Sequence, residues 1–151
     1  MSMNQLKIRE AIISDLPAIM KLISQSDMSP DNQLSESDAN DLFKRISSTG
    51  CHKIYIASID DSIVGTFALI LIQSLTHNGG RSVVVEDVVV DMNFQGKGLG
   101  RQMMDYAAKA ALQFGGEKLV LSSGKARTNA HEFYEHLGYK KDGYRLSLIH
   151  I

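Results

Sequence analysis

The chain is short of the residues that staple or interrupt a fold: it has one cysteine, two prolines and no tryptophan. A lone thiol, Cys51, excludes a disulfide framework and a C-x-x-C metal or redox pattern, and no activating neighbour marks it as a nucleophile. With so little proline and no repeat or low-complexity tract, a flexible linker is not expected, and residues 1–151 read as one domain. A chain of this size buries roughly 70% of the surface its unfolded form exposes, so it needs no staples. No run approaches the roughly 20 apolar residues of a membrane span, and the N-terminal MSMNQLKIRE lacks the apolar centre of a secretion signal. A soluble cytoplasmic protein is the expectation. Nor is there a surplus of charge: 16 basic against 17 acidic residues leave a formal net charge of -1, which gives no general attraction to nucleic acid or an anionic membrane. The expected partner is a small molecule.

What is present is a succession of short apolar strands and amphipathic helices. Leu6–Arg9 alternates as a first strand, and Asp15 is placed to cap a helix that tolerates Pro17 in its first turn and aligns Leu16, Ile19 and Ile23. Ser26–Ser37 is polar and reads as an exposed loop before a short helix over Asp38–Ser47. His52–Ile59 and Ile63–Ile72 flank Asp60-Asp61-Ser62 as a hairpin, with Gly65 a candidate bulge, and Ser82–Met92 is the central strand. The helix after it carries Leu99, Met103, Ala110 and Phe114 on one side and ends at Gly115-Gly116. Lys118–Ser122 then completes a strand-helix-strand crossover with parallel neighbours. Asn129 or Thr128 can cap a last helix over Ala130–Leu137, which Gly138 ends, and Tyr139–Ile151 reads as two short strands about Asp142-Gly143. Periodicity supports a mixed α/β sandwich with a partly parallel sheet.

Between the central strand and its helix lies Gln95-Gly96-Lys97-Gly98-Leu99-Gly100-Arg101. A strand ending in a glycine turn that opens a helix aims several free backbone N–H groups at one point, which makes an anion-binding corner. Glycine suits it because a Cβ would block close approach and penalise the positive φ angles that converge the amides. The expected guest is a phosphate or pyrophosphate. Two common glycine patterns fail: a G-x-G-x-x-G dinucleotide fingerprint meets Arg101 or Met103 where its third glycine belongs, and a nucleotide P-loop needs Ser or Thr where Gly98 follows Lys97.

The remaining Q-x-x-G-x-G run resembles the acetyl-CoA-binding motif of the GNAT family of N-acetyltransferases. The resemblance extends over about Val83–Tyr139. It implies the α/β GNAT acyl-CoA N-acyltransferase fold, a mixed central sheet flanked by helices, with acetyl-CoA as co-substrate. It also implies that the backbone of Val88 and Val90 pairs with the pantetheine arm, and that Gln95, Gly96, Lys97, Gly98, Leu99, Gly100 and Arg101 hold the pyrophosphate. For the two valines, a place in the core strand is compatible with that role, because their contribution is backbone. The helix N-terminus adds ~0.3 to 1 kcal/mol per anion contact.

Acetylating an amine also demands a way to remove its proton. An alkylammonium with a pKa of about 10.4 is neutral in roughly one molecule in 2500 at pH 7, a penalty of about 4.6 kcal/mol. Glu86 and Asp87 stand in the middle of the apolar central strand and by alternation point to opposite faces. The run Glu86-Asp87-Val88-Val89-Val90 resembles that of glucosamine-phosphate N-acetyltransferases and related small-amine acetyltransferases. The resemblance makes Glu86 the general-base candidate, acting directly or through water, with burial beside the valines raising its pKa. A fixed salt bridge to Arg81, Arg127 or Arg145 is the structural alternative for either carboxylate.

The segment Asn129–Tyr139 resembles the family's last motif and implies Tyr134 as the general acid facing the cofactor sulfur; packing beside Phe133 and Leu137 is the alternative. Asn129 is either a pantetheine ligand or a helix cap, Arg127 standing where the family often has asparagine. His131 and His136 are five apart and do not share a helix face, so no metal pair is expected, and His52, His77 and His150 have no constellation around them. The resulting expectation is direct acetyl transfer, in a ternary complex, to a primary amine of a small molecule. A protein substrate and a non-catalytic acyl-CoA sensor are the alternatives. A homodimer formed through the C-terminal strands is implied by the resemblance.

Overall fold

In a computed structural model describing residues 4–27, 31 and 34–149, the chain divides into two units, residues 1–120 and 121–151. The first unit is built on a sheet of five strands in sequential order: β1 (Lys7–Glu10), β2 (His52–Ile59), β3 (Ser62–Gln73), β4 (Arg81–Val90) and β5 (Lys118–Val120). The first four are antiparallel. β5 runs parallel to β4 and meets it only along Ser82–Val84, so among the described residues β4 from Val85 onward has no strand partner on that side.

Register decides what each face carries, because residues opposite one another in a ladder project to the same side. Ile54 and Ile56 of β2 lie against Ala68 and Thr66 of β3, and this face receives α1 (Leu16–Gln25) and α2 (Glu36–Ser48). Leu16 and Ile19 of α1, Ala39 of α2 and Ile56 form its buried cluster. On the other face Tyr55 stacks on Phe67 with ring centroids 5.0 Å apart, and Tyr106 of α3 (Leu99–Gln113) meets both rings edge-on. Each fully buried Leu, Ile or Met contributes about 1.5–3 kcal/mol, and Ile56, Leu69 and Met103 are all at 0% exposure. α3 ends as a glycine cap should: Gly115 takes φ +97°, its amide reaches Leu112 O at 3.1 Å, and that of Gly116 reaches Ala111 O at 2.9 Å.

Several local expectations change, among them the end of the central strand, at Val90 rather than Met92. Asp15 does not cap α1; its carboxylate turns back to accept from the Ile12 amide at 2.7 Å and from both terminal nitrogens of Arg9. α2 starts earlier than expected because Ser35 caps it, accepting from the Asp38 amide at 3.1 Å. β5 stops at Val120, two residues short.

The second unit holds α4 (Thr128–His136), closed by Gly138 at φ +97°. Arg127 occupies the N-cap position without a side-chain cap bond, which puts both Thr128 and Asn129 inside the helix rather than ahead of it. The two C-terminal strands do not form within residues 139–149, and the last two residues lie outside the described ones. Alternation and a turn signal are local, whereas a strand exists only with a ladder partner, and an isolated hairpin is marginal in water. Among the described residues no helix is long and apolar enough to cross a membrane.

Candidate active site

The glycine turn is built by short-range bonds. After β4, Asp91 caps a single turn of 3-10 helix (Met92–Phe94), its carboxylate accepting from the Asn93 amide at 2.9 Å and its carbonyl from that of Phe94 at 2.8 Å. Gln95 reaches back, its Nε2 donating to the Val90 carbonyl at 3.1 Å. Gly96 and Gly98 both take φ +78°, and Gly98 is the N-cap of α3. A Cβ on either would meet nothing within 4 Å, so the turn requires glycine for backbone angle rather than for space. The first amide to bond back to the cap is that of Gln102, on Gly98 O at 3.2 Å. The amides of Leu99, Gly100 and Arg101 are thus the open donors of a helix start. Leu99 is anchored in the core, while Lys97 and Arg101 are exposed, with Lys97 Nζ 5.1 Å from the centre of the Phe94 ring.

β4 leads into this turn with an edge that no strand covers among the described residues. The Asp91 amide donates to Val64 O on β3 at 2.8 Å; because amides alternate sides along a strand, those of Val90 and Val88 point to the edge that β5 leaves open. Just before them the ladder slips: Thr66 pairs with Val89 but Ala68 with Glu86, so Asp87 and Val88 together oppose Phe67. Asp87 takes φ +54° at this bulge and is exposed. Simple alternation of Glu86 and Asp87 therefore fails. Glu86 keeps the face of Ala68, the face that α1 and α2 pack against, whereas Asp87 is the extra residue of the bulge. Glu86 is half-buried, and neither carboxylate is ion-paired among the described residues of this unit. Arg81 lies instead 3.9 Å from Glu117. The salt bridge to Arg81 is therefore not formed.

His52 is the residue that sequence reading passed over. It lies opposite Ile70 on β2's helix-covered face, and the charges of both Glu86 and Asp87 reach it. Its imidazole is held below the ordinary range, chiefly by burial, with the two carboxylates opposing.

In the second unit Tyr134 is partly buried, edge-on to Phe133 and Tyr139 at 5.1 and 5.7 Å. Burial raises its phenol pKa, against the charge of Arg127, and so keeps the hydroxyl protonated and able to donate. His131 Nε2 lies 2.8 Å from Gly124 O and ties the preceding loop to α4. In that loop the Ser123 hydroxyl is buried without a hydrogen-bond partner among the described residues, a feature no sequence signal announced.

With the geometry described, comparison with known proteins assigns the family. The model of the acetyltransferase (GNAT) family matches residues 16–139. The chain belongs to the GNAT family. Glucosamine 6-phosphate N-acetyltransferase of Trypanosoma brucei brucei is 34% identical over 89 residues, 58% of each chain. Aminoalkylphosphonate N-acetyltransferase of Salmonella typhimurium is 29% identical over 92 residues, 61% of this chain and 59% of the relative. The matched part thus spans less than two thirds of these relatives' length. The crystal structure of glucosamine-6-phosphate N-acetyltransferase from Arabidopsis thaliana superposes with a TM-score of 0.83, covering 97% of this chain and 99% of that one at 24% identity, and it shares the fold. The mixed five-stranded sheet flanked by helices is the GNAT architecture.

Proposed function

We propose that this GNAT chain is an acetyl-CoA-dependent N-acetyltransferase that acts on a primary amine of a small molecule by direct attack in a ternary complex. The observation that carries this reading is the junction of β4 and α3: a strand edge at Val88 and Val90 that no strand covers among the described residues, running into a turn with two left-handed glycines and three open helix-start amides. These groups fit the co-substrate. The edge suits an amide-bearing arm, the amides of Gly96–Arg101 suit a pyrophosphate, and Lys97 and Arg101 add positive charge. Asn129, in the first turn of α4, is free of a capping role and remains assigned to the arm.

When bound, acetyl-CoA supplies the activated thioester. The protein's part is proton management. Glu86, half-buried and without an ionic partner among the described residues of its unit, accepts the proton of the incoming ammonium at a carboxylate oxygen, directly or through water. Tyr134, whose hydroxyl stays protonated, is assigned the donation of a proton to the departing thiolate. The relatives' names, glucosamine 6-phosphate and aminoalkylphosphonate N-acetyltransferase, both denote small amino compounds and support a metabolite over a protein substrate. A homodimer is part of the same proposal.

The test is a panel of amines (amino sugars and their phosphates, aminoalkylphosphonates, polyamines, aminoglycosides) scored by release of free CoA thiol. At least one amine is expected to release CoA, and Glu86→Gln to lower its kcat by about 100-fold or more, Tyr134→Phe by about 10-fold or more. Unchanged turnover in the double variant would refute the assigned roles. Binding of acetyl-CoA with no release across the panel would make the chain a sensor.

A further inference from the structure

His52 shares the helix-covered face of the sheet with Glu86. The register sets His52 against Ile70 and Ile54 against Ala68, and the same Ile70 and Ala68 lie against Val84 and Glu86. On β3 the half-buried Ile70 and the buried Ala68 stand between the two strands on this face, and the charge of Glu86 reaches the imidazole across them. The ring is half-buried and makes no hydrogen bond among the described residues. Because burial outweighs the field of Glu86 and Asp87, it is neutral at pH 7 and has a lone pair to offer. The other charged groups around it are already matched. Glu10 of β1 and Lys53 of β2, which line with His52 a cavity of about 130 Å³, are paired with each other at 3.0 Å. α2 contributes the uncharged Phe43, Ile46 and Ser47 to that cavity.

We propose that His52 is a positioning partner of Glu86 that clears the amine's proton from it, so that the amine side of the reaction is worked by a Glu86–His52 pair. The proton leaves the ammonium for a Glu86 carboxylate oxygen, passes by way of water to an imidazole nitrogen and then to solvent, restoring the carboxylate. Only a proton moves, and nothing is oxidised or reduced. The proposal rests on the acetyltransferase reading and adds a second proton-handling residue to it.

Two measurements on the full chain test it. The first needs no substrate: the His52 imidazole resonances are followed by NMR from about pH 4.5 to 8 in wild type, Glu86→Gln and Asp87→Asn. Removing the Glu86 charge is expected to lower the His52 midpoint by about 0.3 pH unit or more, since a carboxylate favours the imidazolium. An unmoved midpoint overturns the coupling and the proposal with it. The second is the pH profile of turnover for the best amine in His52→Gln and His52→Ala. The expected result is a loss of about 10-fold or more in kcat with the acetyl-CoA KM within about twofold, and partial rescue of His52→Ala by added imidazole. Normal rates in His52→Gln beside a crippled Glu86→Gln overturn the role of His52 and leave Glu86 as base. Normal rates in both remove both. Failure of the wild type to turn over any amine removes the acetyltransferase reading and the relay together.

Discussion

Asp15 shows how one side chain can leave the role its position suggests. It precedes a helix, yet its carboxylate is engaged behind it by Arg9 at 2.7 and 3.0 Å and by the Ile12 amide. The Arg9 hydrogen bonds, aided by that amide and by the arginine charge, hold its pKa below the ordinary 3.8 although burial pulls the other way. With the folded pKa below the unfolded one, the stabilisation is complete above the unfolded value and is lost as pH falls through the folded value. Asp15→Asn is therefore expected to cost about 1–2 kcal/mol at pH 7, Arg9 being half exposed, and to lower Tm by about 2–8 °C. The gap between variant and wild type should close in strong acid. Parallel Tm-against-pH curves would refute the assignment. Gly98 makes the complementary case, because its φ of +78° is strained for a residue with a Cβ although nothing crowds the site. Alanine there should cost about 1–2 kcal/mol and raise the acetyl-CoA Kd, while asparagine, which tolerates left-handed backbone, should fall between alanine and glycine. Thermal melts and calorimetry read both, and equal behaviour of Ala and Asn would mean that the backbone angle is not what glycine supplies.

Among elements, β3 and α3 meet at Gly65, where a Cβ would stand 2.6 Å from Met103 Sδ and 3.3 Å from Val89 O. Met103 is fully buried and has nowhere to retreat. Gly65→Ala should destabilise by about 1–3 kcal/mol, and a smaller partner in Gly65→Ala/Met103→Val should recover part of it, giving a non-additive double-mutant cycle by denaturant unfolding. Simple additivity would show that Gly65 serves only the backbone. This level also shows what a single sequence makes legible. The order of strands and helices and the glycine turn were readable, since hydrophobic period and turn chemistry are local. The extra residue at Asp87 was not, for nothing in Val83–Val90 reveals how many residues β3 will oppose to it. That one slip separates Glu86 from Asp87, and only the assembled register places His52, thirty-odd residues earlier, on the face of Glu86. The Ser123 hydroxyl was hidden for the same reason, its burial being a product of packing.

For the molecule as a whole, the C-terminal segment bears on assembly. Tyr144, Leu146 and Leu148 alternate along it and are 96%, 91% and 82% exposed, and no ladder holds their backbone within residues 139–149. A row of large apolar side chains left in water favours a cover, and the proposed homodimer provides one. Burying Leu146 and Leu148 in each copy would contribute about 1.5–3 kcal/mol per side chain, enough with backbone pairing to decide between one copy and two at ordinary protein concentrations. Light scattering is expected to give twice the 16.7 kDa of a single chain for the wild type and the single-chain mass for Leu146→Asp/Leu148→Asp. A wild-type monomer would remove the dimer from the proposal. A dimer that survives both aspartates would place its interface elsewhere. Because neither leucine is among the residues assigned to acetyl-CoA, its affinity should change little in the aspartate variant, which separates loss of assembly from loss of fold.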